Sequence, residues 1–535
     1  MPIYEFMRMV QIKFRGREIT TKYQWLMVKS QPRGIILTQV LVFAAVSVVI
    51  LTGLVGWAGA NVKSARHAFY REQAFQIAEA GIEYYRWHLA HNQGDFNDGT
   101  CNPGPCSPGP YVHDYLDKDG NIIGAFTLEI VPPPIGSTVV IVRSKGVVSA
   151  YSSVYRRIET KMAKPSWAKY AVAANANMRF GVGTEIFGPI HSNGGIRLDG
   201  LAHNIVTSNR NDYNDLVHAG ANEYGVHTHT NLPPTVPPPP NAPGNDTFRP
   251  LEAAPNPLQA RTDTFEAGRQ VSVPAIDFAG LTTDMASIRT EAQGPTGFYR
   301  ASSGANGYRV LLKTNDTFDL YRVNTLFPAP NGCTNAAVGW ATWSIDPGVG
   351  AQTLLGNFPI PGNGLVFLED RRVWVEGQIN TARVTIAASI FSTDPAIQSQ
   401  ITVNNNLLYT NFDGQDTISL IAENNFNAGL LSADFLTIDA AMVAQQGRVG
   451  RYNYPPACGA TYARNTITLF GMIATAQQYG FSWTGANFQC ADLFWRGSGY
   501  CIRNINYDAN LLYAPPPSFP LTSDQYSILS WQEIK

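Results

Sequence analysis

Charged residues are scarce in this sequence of 535 residues. They make up 15% of it, and 39 Lys and Arg nearly balance 40 Asp and Glu, for a formal net charge of -1. A chain with this balance has no general attraction for a polyanion, so its charge gives no support to nucleic-acid binding. Apolar residues make up 44%, which excludes a disordered chain and allows several hydrophobic cores.

Common catalytic motifs are missing as well. We find no nucleophile elbow, no phosphate-binding loop and no H-E-x-x-H sequence. The densest charged cluster is residues 369–372, and the nearest later carboxylates are Asp416 and Glu423. Consecutive strand residues alternate between faces, so we interpret the cluster as a solvated face or a salt bridge at a bend. We predict no enzyme and no cofactor, with a surface polysaccharide lyase or hydrolase as an alternative.

Cysteine is rare, with six residues in all. Cys101 and Cys106 stand at the two ends of a Pro/Gly turn, where a small disulfide loop can close in an oxidising compartment. A second candidate pair, Cys490 and Cys501, encloses an aromatic-rich loop. The sequence leaves the pairing of the other two cysteines open.

His227 and His229, with His218 upstream, form the one metal-like cluster in the sequence. Their i, i+2 spacing points both imidazoles to one face of a strand, where they could share a cation. No carboxylate or cysteine is fixed beside them. We therefore predict a polar loop and no metal site, and leave open whether these histidines hold a metal.

One long uncharged segment lies near the N-terminus, between Arg33 and Lys63. A helix over that gap would be roughly 43 Å long, enough to cross the ~30 Å hydrocarbon layer of a bilayer, and the run is too long for a signal peptide. Residues 1–33 hold seven Lys and Arg against two Glu. This excess predicts a cytoplasmic N-terminus and places the bulk of the chain on the opposite, extracellular side of the membrane.

The predicted helix continues beyond the membrane boundary. Apolar residues there recur at spacings of 3 and 4, and the breakers Asn92 and Gly94 end the pattern. One helix of about 55 residues therefore begins in the bilayer and ends under a globular domain. Its apolar stripe consists of Phe75, Ala78, Ile82, Tyr85 and Leu89.

A basic leader, then Gly34, then an apolar helix that turns amphipathic at mid-length resembles the layout of type IV prepilins. The segment QAFQIAEAGIEYYRWHL (73–89) is similar to the one that follows the membrane helix in minor pilins of the PilX type. The resemblance implies that a prepilin peptidase cuts after Gly34 and leaves Ile35 as the new terminus. It also implies that the helix contacts other pilin subunits.

The chain departs from the pilin pattern at the fifth position after the implied cleavage site. Pilins usually carry Glu there, where its charge offsets a neighbour's buried terminal ammonium, and this chain has Gln39. Glutamine can hydrogen-bond that ammonium but cannot neutralise it, and an unpaired charge in hydrocarbon is costly. The departure favours a filament tip or an uncleaved anchor over a position within a filament.

The exported part begins with three alternating segments, 126–131, 137–148 and 152–163, which predict an antiparallel meander packed on the amphipathic half of the helix. Farther on, short β-rich runs that end in Gly, Asn or Asp recur roughly every 15 to 20 residues, a pattern typical of a parallel β-helix. A β-sandwich is the alternative. The runs are interrupted by a Pro-rich linker at 231–246.

The predicted fold class is α+β, with a long N-terminal pilin-type helix and a small antiparallel β-meander followed by an all-β parallel β-helix (solenoid) head with an inserted lobe. The predicted segments are a basic cytoplasmic leader (1–34), the transmembrane half of the helix (35–62), its amphipathic half (63–92), the pilin-like meander (93–165), the first β-helix coils (166–203), the inserted lobe with its Pro-rich linker (204–363) and the β-helix with a C-terminal cap (364–535).

These features predict a minor pilin-like cell-surface protein with a structural and adhesive role, which presents its head at the tip of a type IV pilus-like filament or on the membrane. The alternative is a membrane-anchored surface protein that does not assemble. Expected partners are the prepilin peptidase, other pilin subunits, the membrane and an unidentified surface ligand or host cell target. Aromatic residues on rigid loops give binding area at low entropic cost. The candidate contact surface is Trp483, Phe488, Trp495 and Tyr500. The alternative is that these aromatic side chains pack on the last coil.

Overall fold

The computed structural model describes nine segments of the chain: 35–101, 106–133, 137–215, 222–230, 252, 257–278, 285–483, 497–521 and 525–535. The chain divides into two compact units, Met1–Tyr70 and Arg71–Lys535. The boundary falls within a long helix, α1 (Ile35–His91). A second helix, α2, spans Met285–Ala292.

The described residues contain 32 strands. The first sixteen are β1 (Tyr111–Leu116), β2 (Ile122–Val131), β3 (Val140–Val148), β4 (Tyr151–Ala163), β5 (Val172–Ala174), β6 (Met178–Phe180), β7 (Thr184–Phe187), β8 (Ile190–Ser192), β9 (Ile196–Leu198), β10 (Leu201–Ala202), β11 (Val206–Ser208), β12 (Asp212–Asn214), β13 (Asn222–Tyr224), β14 (Val226–His227), β15 (Arg269–Gln270) and β16 (Phe298–Arg300). The others are β17 (Tyr308–Lys313), β18 (Thr317–Val323), β19 (Gln352–Pro359), β20 (Leu365–Leu368), β21 (Arg372–Gln378), β22 (Arg383–Ala388), β23 (Gln400–Thr402), β24 (Leu407–Leu408), β25 (Thr417–Ala422), β26 (Phe426–Ala428), β27 (Phe435–Ala444), β28 (Val449–Arg451), β29 (Ala463–Thr475), β30 (Ser482–Trp483), β31 (Ser498–Tyr507) and β32 (Ser527–Ile534).

Helix α1 has 57 residues, which corresponds to about 85 Å. It contains no proline, and its second half is rich in Ala, Glu, Gln and Arg, which favour helix. It ends where the Asn92 N–H donates to the His88 carbonyl and a turn follows. Up to Phe69 the described side chains of α1 are exposed, and from Ala74 onward one face is buried.

The small sheet beside the second half of α1 is antiparallel, with the strand order β1-β2-β3-β4-β32. Its strands β2, β3 and β4 correspond to the three predicted segments; β2 begins four residues earlier, β3 begins three residues later and β4 begins one residue earlier than predicted. Burial alternates strictly along β3 because one face of the sheet packs on the helix. The sequence analysis did not identify β1 as a strand.

The C-terminus corrects the prediction of a cap on the last coil. Residues Ser527–Ile534 form β32, which pairs antiparallel with β4 and completes the small sheet. Arg156 of β4 forms an ion pair with Glu533 of β32. The chain therefore leaves the small sheet after Ala163, builds the head, and returns to the same sheet.

The head is a large, mostly parallel arrangement of short strands. One ladder runs through β20, β22, β25, β27, β29 and β31, and each strand pairs in parallel with the next. Parallel neighbours cannot be joined by a tight hairpin, so a longer connection separates each strand from the next one in the ladder. β-branched and small residues, among them Ala388, Ala422 and Ala444, fill the buried interior.

The boundary of the predicted inserted lobe, 204–363, is also corrected. The parallel ladder continues past residue 203, because β11 pairs in parallel with β8, and β14 with β9. It resumes before residue 364, where β16 pairs with β20 and β17 with β21. The hairpin of β17 and β18 turns at the predicted Asn315-Asp316, so this hairpin belongs to the ladder and not to a separate lobe.

Candidate functional site

The first candidate site is the exposed half of α1. Large apolar side chains are exposed along it, from Ile36 (76%) to Phe69 (65%). The helix is long and apolar enough to cross a membrane by length and composition. So much contiguous apolar surface is unfavourable in water, and it is consistent with a helix that lies in a bilayer or among other helices. Gln39 lies on this exposed half.

The second half of α1 contacts the small sheet over a line of glycines. A Cβ placed on Gly146 of β3 would lie 2.1 Å from the Ala74 carbonyl oxygen and 2.5 Å from the Ala78 nitrogen, both in the helix backbone. A Cβ on Gly81 would lie 2.3 Å from Ser144 Oγ. Only glycine allows the two backbones to approach so closely. Gly81 thus allows the helix to pack on β3.

The predicted apolar stripe divides into buried and half-buried members. Phe75 is half-buried, and its ring meets Trp531 of β32 edge-on with 5.7 Å between centroids. Each of the other four is at most 2% exposed, and the Tyr85 hydroxyl donates to the Asp95 carbonyl at 2.9 Å. These four side chains are buried inside the small domain, so they have no exposed surface with which to contact another subunit. They are Ala78, Ile82, Tyr85 and Leu89.

Two backbone connections join the head to the small sheet. The Ser166 N–H donates to the Leu512 carbonyl at 3.1 Å, and the Trp167 N–H donates to the Pro520 carbonyl at the same distance. The Thr138 hydroxyl donates to the Tyr513 carbonyl at 3.1 Å. The segment that leaves the small sheet after β4 and the segment that returns to it before β32 are therefore hydrogen-bonded to each other.

The candidate catalytic carboxylates are bonded to backbone amides. Glu423 is 3% exposed and accepts hydrogen bonds from the N–H groups of Ile390, Ser392 and Ser399 at 2.8–3.0 Å. Asp416 is likewise buried and accepts from the amide of Thr410 at 2.8 Å. Carboxylates in this arrangement stabilise the ends of loops, and their oxygens are occupied.

The charged cluster at 369–372 points in several directions. Asp370 accepts from the Ser303 amide at 2.6 Å, whereas the Arg372 guanidinium lies over the Trp343 ring at 5.6 Å. Glu369 accepts from the Tyr299 hydroxyl at 2.7 Å. A lyase needs a base and a neutralising cation that face one groove. The contacts of Asp370 and Arg372 direct them to different neighbours.

One interior carboxyl has an unusual electrostatic environment. Asp439 of β27 is 3% exposed, and burial raises its pKa to about 6, against the opposing effect of a 3.0 Å hydrogen bond from the Tyr409 amide. Because Asp439 is buried and accepts its described hydrogen bond from a backbone amide, it belongs to the interior of the head and not to an open site.

The aromatic contact surface is only partly described. Trp483 is 41% exposed, and its indole N–H donates to the Arg451 carbonyl at 2.8 Å. Tyr500 is fully buried, and its hydroxyl bonds to Ser432 and Ala433. The prediction that Tyr500 contributes contact surface is therefore wrong, because its side chain packs in the core. Several of the predicted site residues lie outside the described residues, namely Gly34, His218, Phe488, Cys490 and Trp495.

Disulfides join Cys101 to Cys106 and Cys333 to Cys458. The first is the predicted loop. The second spans a sequence separation of 125 and resolves the pairing that the sequence left open. Cys501 is also disulfide-bonded. Disulfides persist in oxidising compartments, and a bridge across so long a loop stabilises the head by constraining the unfolded chain.

Comparisons with known proteins give a distant structural likeness. No protein-family model matches the sequence, and no curated protein matches it. Among solved structures, the chain is similar to the crystal structure of the competence-associated pilin ComZ from Thermus thermophilus. The identity is 13%, the match covers 87% of this chain and 98% of that one, and the TM-score is 0.25. The function is therefore argued from the residues of this chain.

Proposed function

We propose that this chain is a minor pilin-like surface protein that carries a β-helix head on a membrane-competent helix. The observation that supports it most directly is the division of α1. Its first half exposes apolar side chains throughout, and its second half is buried under an antiparallel sheet that the chain closes with its own C-terminal strand. One helix thus serves both as an assembly or membrane element and as the core of the small domain.

The proposed orientation follows from charge and redox chemistry. The basic residues before Gly34 favour a cytoplasmic N-terminus. Two disulfides in the described residues support export of the remainder. A prepilin peptidase would cut between Gly34 and Ile35, after which the exposed half of α1 would contact the helices of other pilin subunits.

The head is proposed to be adhesive and not catalytic. The successive parallel ladders of short strands, with small and β-branched residues inside, support a β-helix. The carboxylates that could have acted as bases are engaged by backbone amides. Exposed Trp483 remains the candidate contact residue, and the surface ligand or host cell target is unidentified.

Position 39 provides a test of tip placement. We expect the wild-type chain, labelled with gold-conjugated antibody against the head, to appear at one end of surface filaments. Gln39→Glu supplies the charge that offsets a neighbour's terminal ammonium within hydrocarbon, so this variant should appear along the filament in several-fold higher copy number.

Gln39→Leu is the matched control, because it also removes the amide but adds no charge. It should stay at the tip or be lost from filaments. Labelling of the wild-type chain along the whole filament would contradict tip placement. Identical distributions for Gln39→Glu and Gln39→Leu would contradict the role of charge at position 39.

A further inference from the structure

Four side chains with metal-ligating atoms converge in the first part of the head. Glu223 lies in β13, which pairs antiparallel with β12, and Asp215 follows β12 directly. His227 lies in β14, and His229 follows two residues later. The two histidines and Glu223 are fully buried, and Asp215 is 9% exposed. Hairpin β12–β13 therefore brings two carboxylates to the histidine pair that the sequence left without them.

The separations of the ligand atoms match those of a coordination shell. The Nε2 atoms of His227 and His229 each lie 3.0 Å from the same oxygen, Glu223 Oε2. They lie 3.5 Å and 3.9 Å from Asp215 Oδ2, and one ligand atom from each of the four residues lies within 4.8 Å of the others. Tetrahedral bonds of about 2.0–2.1 Å place ligand atoms ~3.3 Å apart. The observed distances bracket this value.

Backbone contacts orient the histidines for ligation. His227 Nδ1 lies 3.2 Å from the Tyr224 carbonyl oxygen. A carbonyl only accepts hydrogen bonds, so Nδ1 carries the proton and the lone pair of the neutral ring is on Nε2, which faces Glu223. The His229 backbone N–H donates to Asp199 Oδ1 at 2.8 Å. Outer contacts of this kind are those that fix ligand tautomers in metal sites.

The buried charge also favours a dication. Asp199, Asp215 and Glu223 lie close together in the interior, and Arg197, which is 2% exposed, lies 2.8 Å from Asp199 and 3.4 Å from Asp215. Buried carboxylates repel one another, and a divalent cation between Asp215 and Glu223 would lower that cost.

We propose that Asp215, Glu223, His227 and His229 hold one divalent transition-metal ion, with Zn²⁺ as the favoured ion. This proposal replaces the prediction of a polar loop at His227 and His229. All four proposed ligands come from the protein and are buried. This is the arrangement of structural zinc sites, in which no coordination position is left open for a substrate. The ion would join hairpin β12–β13 to β14, and through β14 to β9, so its role is to stabilise this end of the head.

The test is the metal content of the full chain, purified in detergent without a polyhistidine tag and measured by inductively coupled plasma mass spectrometry. We expect about one ion per chain in the wild type and a loss of that ion in Glu223→Gln and in the double variant His227→Ala/His229→Ala. His203→Ala is the matched control, because His203 also lies between two carboxylates, Glu185 and Glu266, at 2.7 Å and 2.6 Å. It should keep the ion.

A second measurement decides the question if the variants fail to fold. Wild-type chain stripped with a chelator should have a lower Tm that Zn²⁺ restores and Mg²⁺ does not. Co²⁺ added to it should give the visible absorption of tetrahedral cobalt. A wild-type chain that is purified without metal and takes up neither Zn²⁺ nor Co²⁺ would overturn the proposal in favour of protonated histidines bonded to Glu223. Full metal content in the double histidine variant would overturn it as well.

Discussion

Gly146→Val is expected to separate the small sheet from α1. The first added carbon would lie 2.1 Å from the Ala74 carbonyl oxygen, and the obstacle is helix backbone, which cannot rotate away as a side chain would. The helix must therefore move outward by about 1 Å or more, which loosens the packing of Ile77 and Tyr85 as well. We expect a loss of more than about 4 kcal/mol from the free energy of unfolding of this domain.

Hydrogen–deuterium exchange of the full chain in detergent measures this loss locally. Peptides covering residues 74–89 and 140–148 should lose protection in Gly146→Val, while peptides from the core of the head keep theirs. Gly94→Ala is the matched control, because no heavy atom lies within 4 Å of a Cβ added there. Protection in Gly146→Val equal to that of the wild type would show that the helix and sheet are not packed as described.

Glu423→Ala is expected to destabilise the head nearly as strongly. The substitution removes a buried carboxylate that accepts three amide hydrogen bonds, and it leaves the N–H groups of Ile390, Ser392 and Ser399 without that acceptor. Each such bond to a charged group contributes about 1.5–3 kcal/mol, and orphaned buried donors add a desolvation penalty. We expect a loss of more than about 4 kcal/mol in the free energy of unfolding, measured by guanidinium denaturation.

Two variants separate this effect from a general loss of charge. Glu423→Gln keeps one acceptor oxygen and should cost roughly half as much. Glu129→Ala removes an exposed partner of Arg143 and should cost no more than about 1 kcal/mol. If Glu423→Ala left the denaturation midpoint unchanged and instead abolished cleavage of a polysaccharide, the carboxylate would be a catalytic base and the adhesive proposal would be wrong.

The elements with a periodic pattern could be predicted from the sequence. The alternation in β2, β3 and β4 and the apolar stripe of α1 arise because each has one buried face. The stripe was incomplete, however, since Ala74, Ile77 and Gly81 are also buried against the sheet. Small residues carry little hydrophobic signal, so a contact made through glycine and alanine is difficult to recognise in one sequence.

Long-range pairing could not be predicted in the same way. β32 is mostly exposed, and its place beside β4 depends on the chain returning across the whole head. The extent of the parallel ladder was underestimated for a related reason, because β11 and β14 have only three and two residues. Strands of that length have no readable period and are defined by the neighbours they pair with.

The candidate metal site shows the same limit at the level of single residues. The i, i+2 spacing of His227 and His229 indicated a shared face, and their Nε2 atoms do converge. Asp215 and Glu223 were not identified, because hairpin pairing and not sequence proximity brings Asp215 to the cluster. Glu223 lies only four residues before His227, and on an extended chain this even spacing places its carboxylate on the same face as the two histidines.

N-terminal sequencing of the chain from sheared surface filaments and from membranes tests the central claim most directly. The account predicts a chain in the filament fraction whose first residue is Ile35, cut after Gly34. A chain that begins at Met1, stays in the membrane fraction and is absent from filaments would contradict assembly and favour the anchored alternative. Recovery of the chain from the cytosol alone would contradict both.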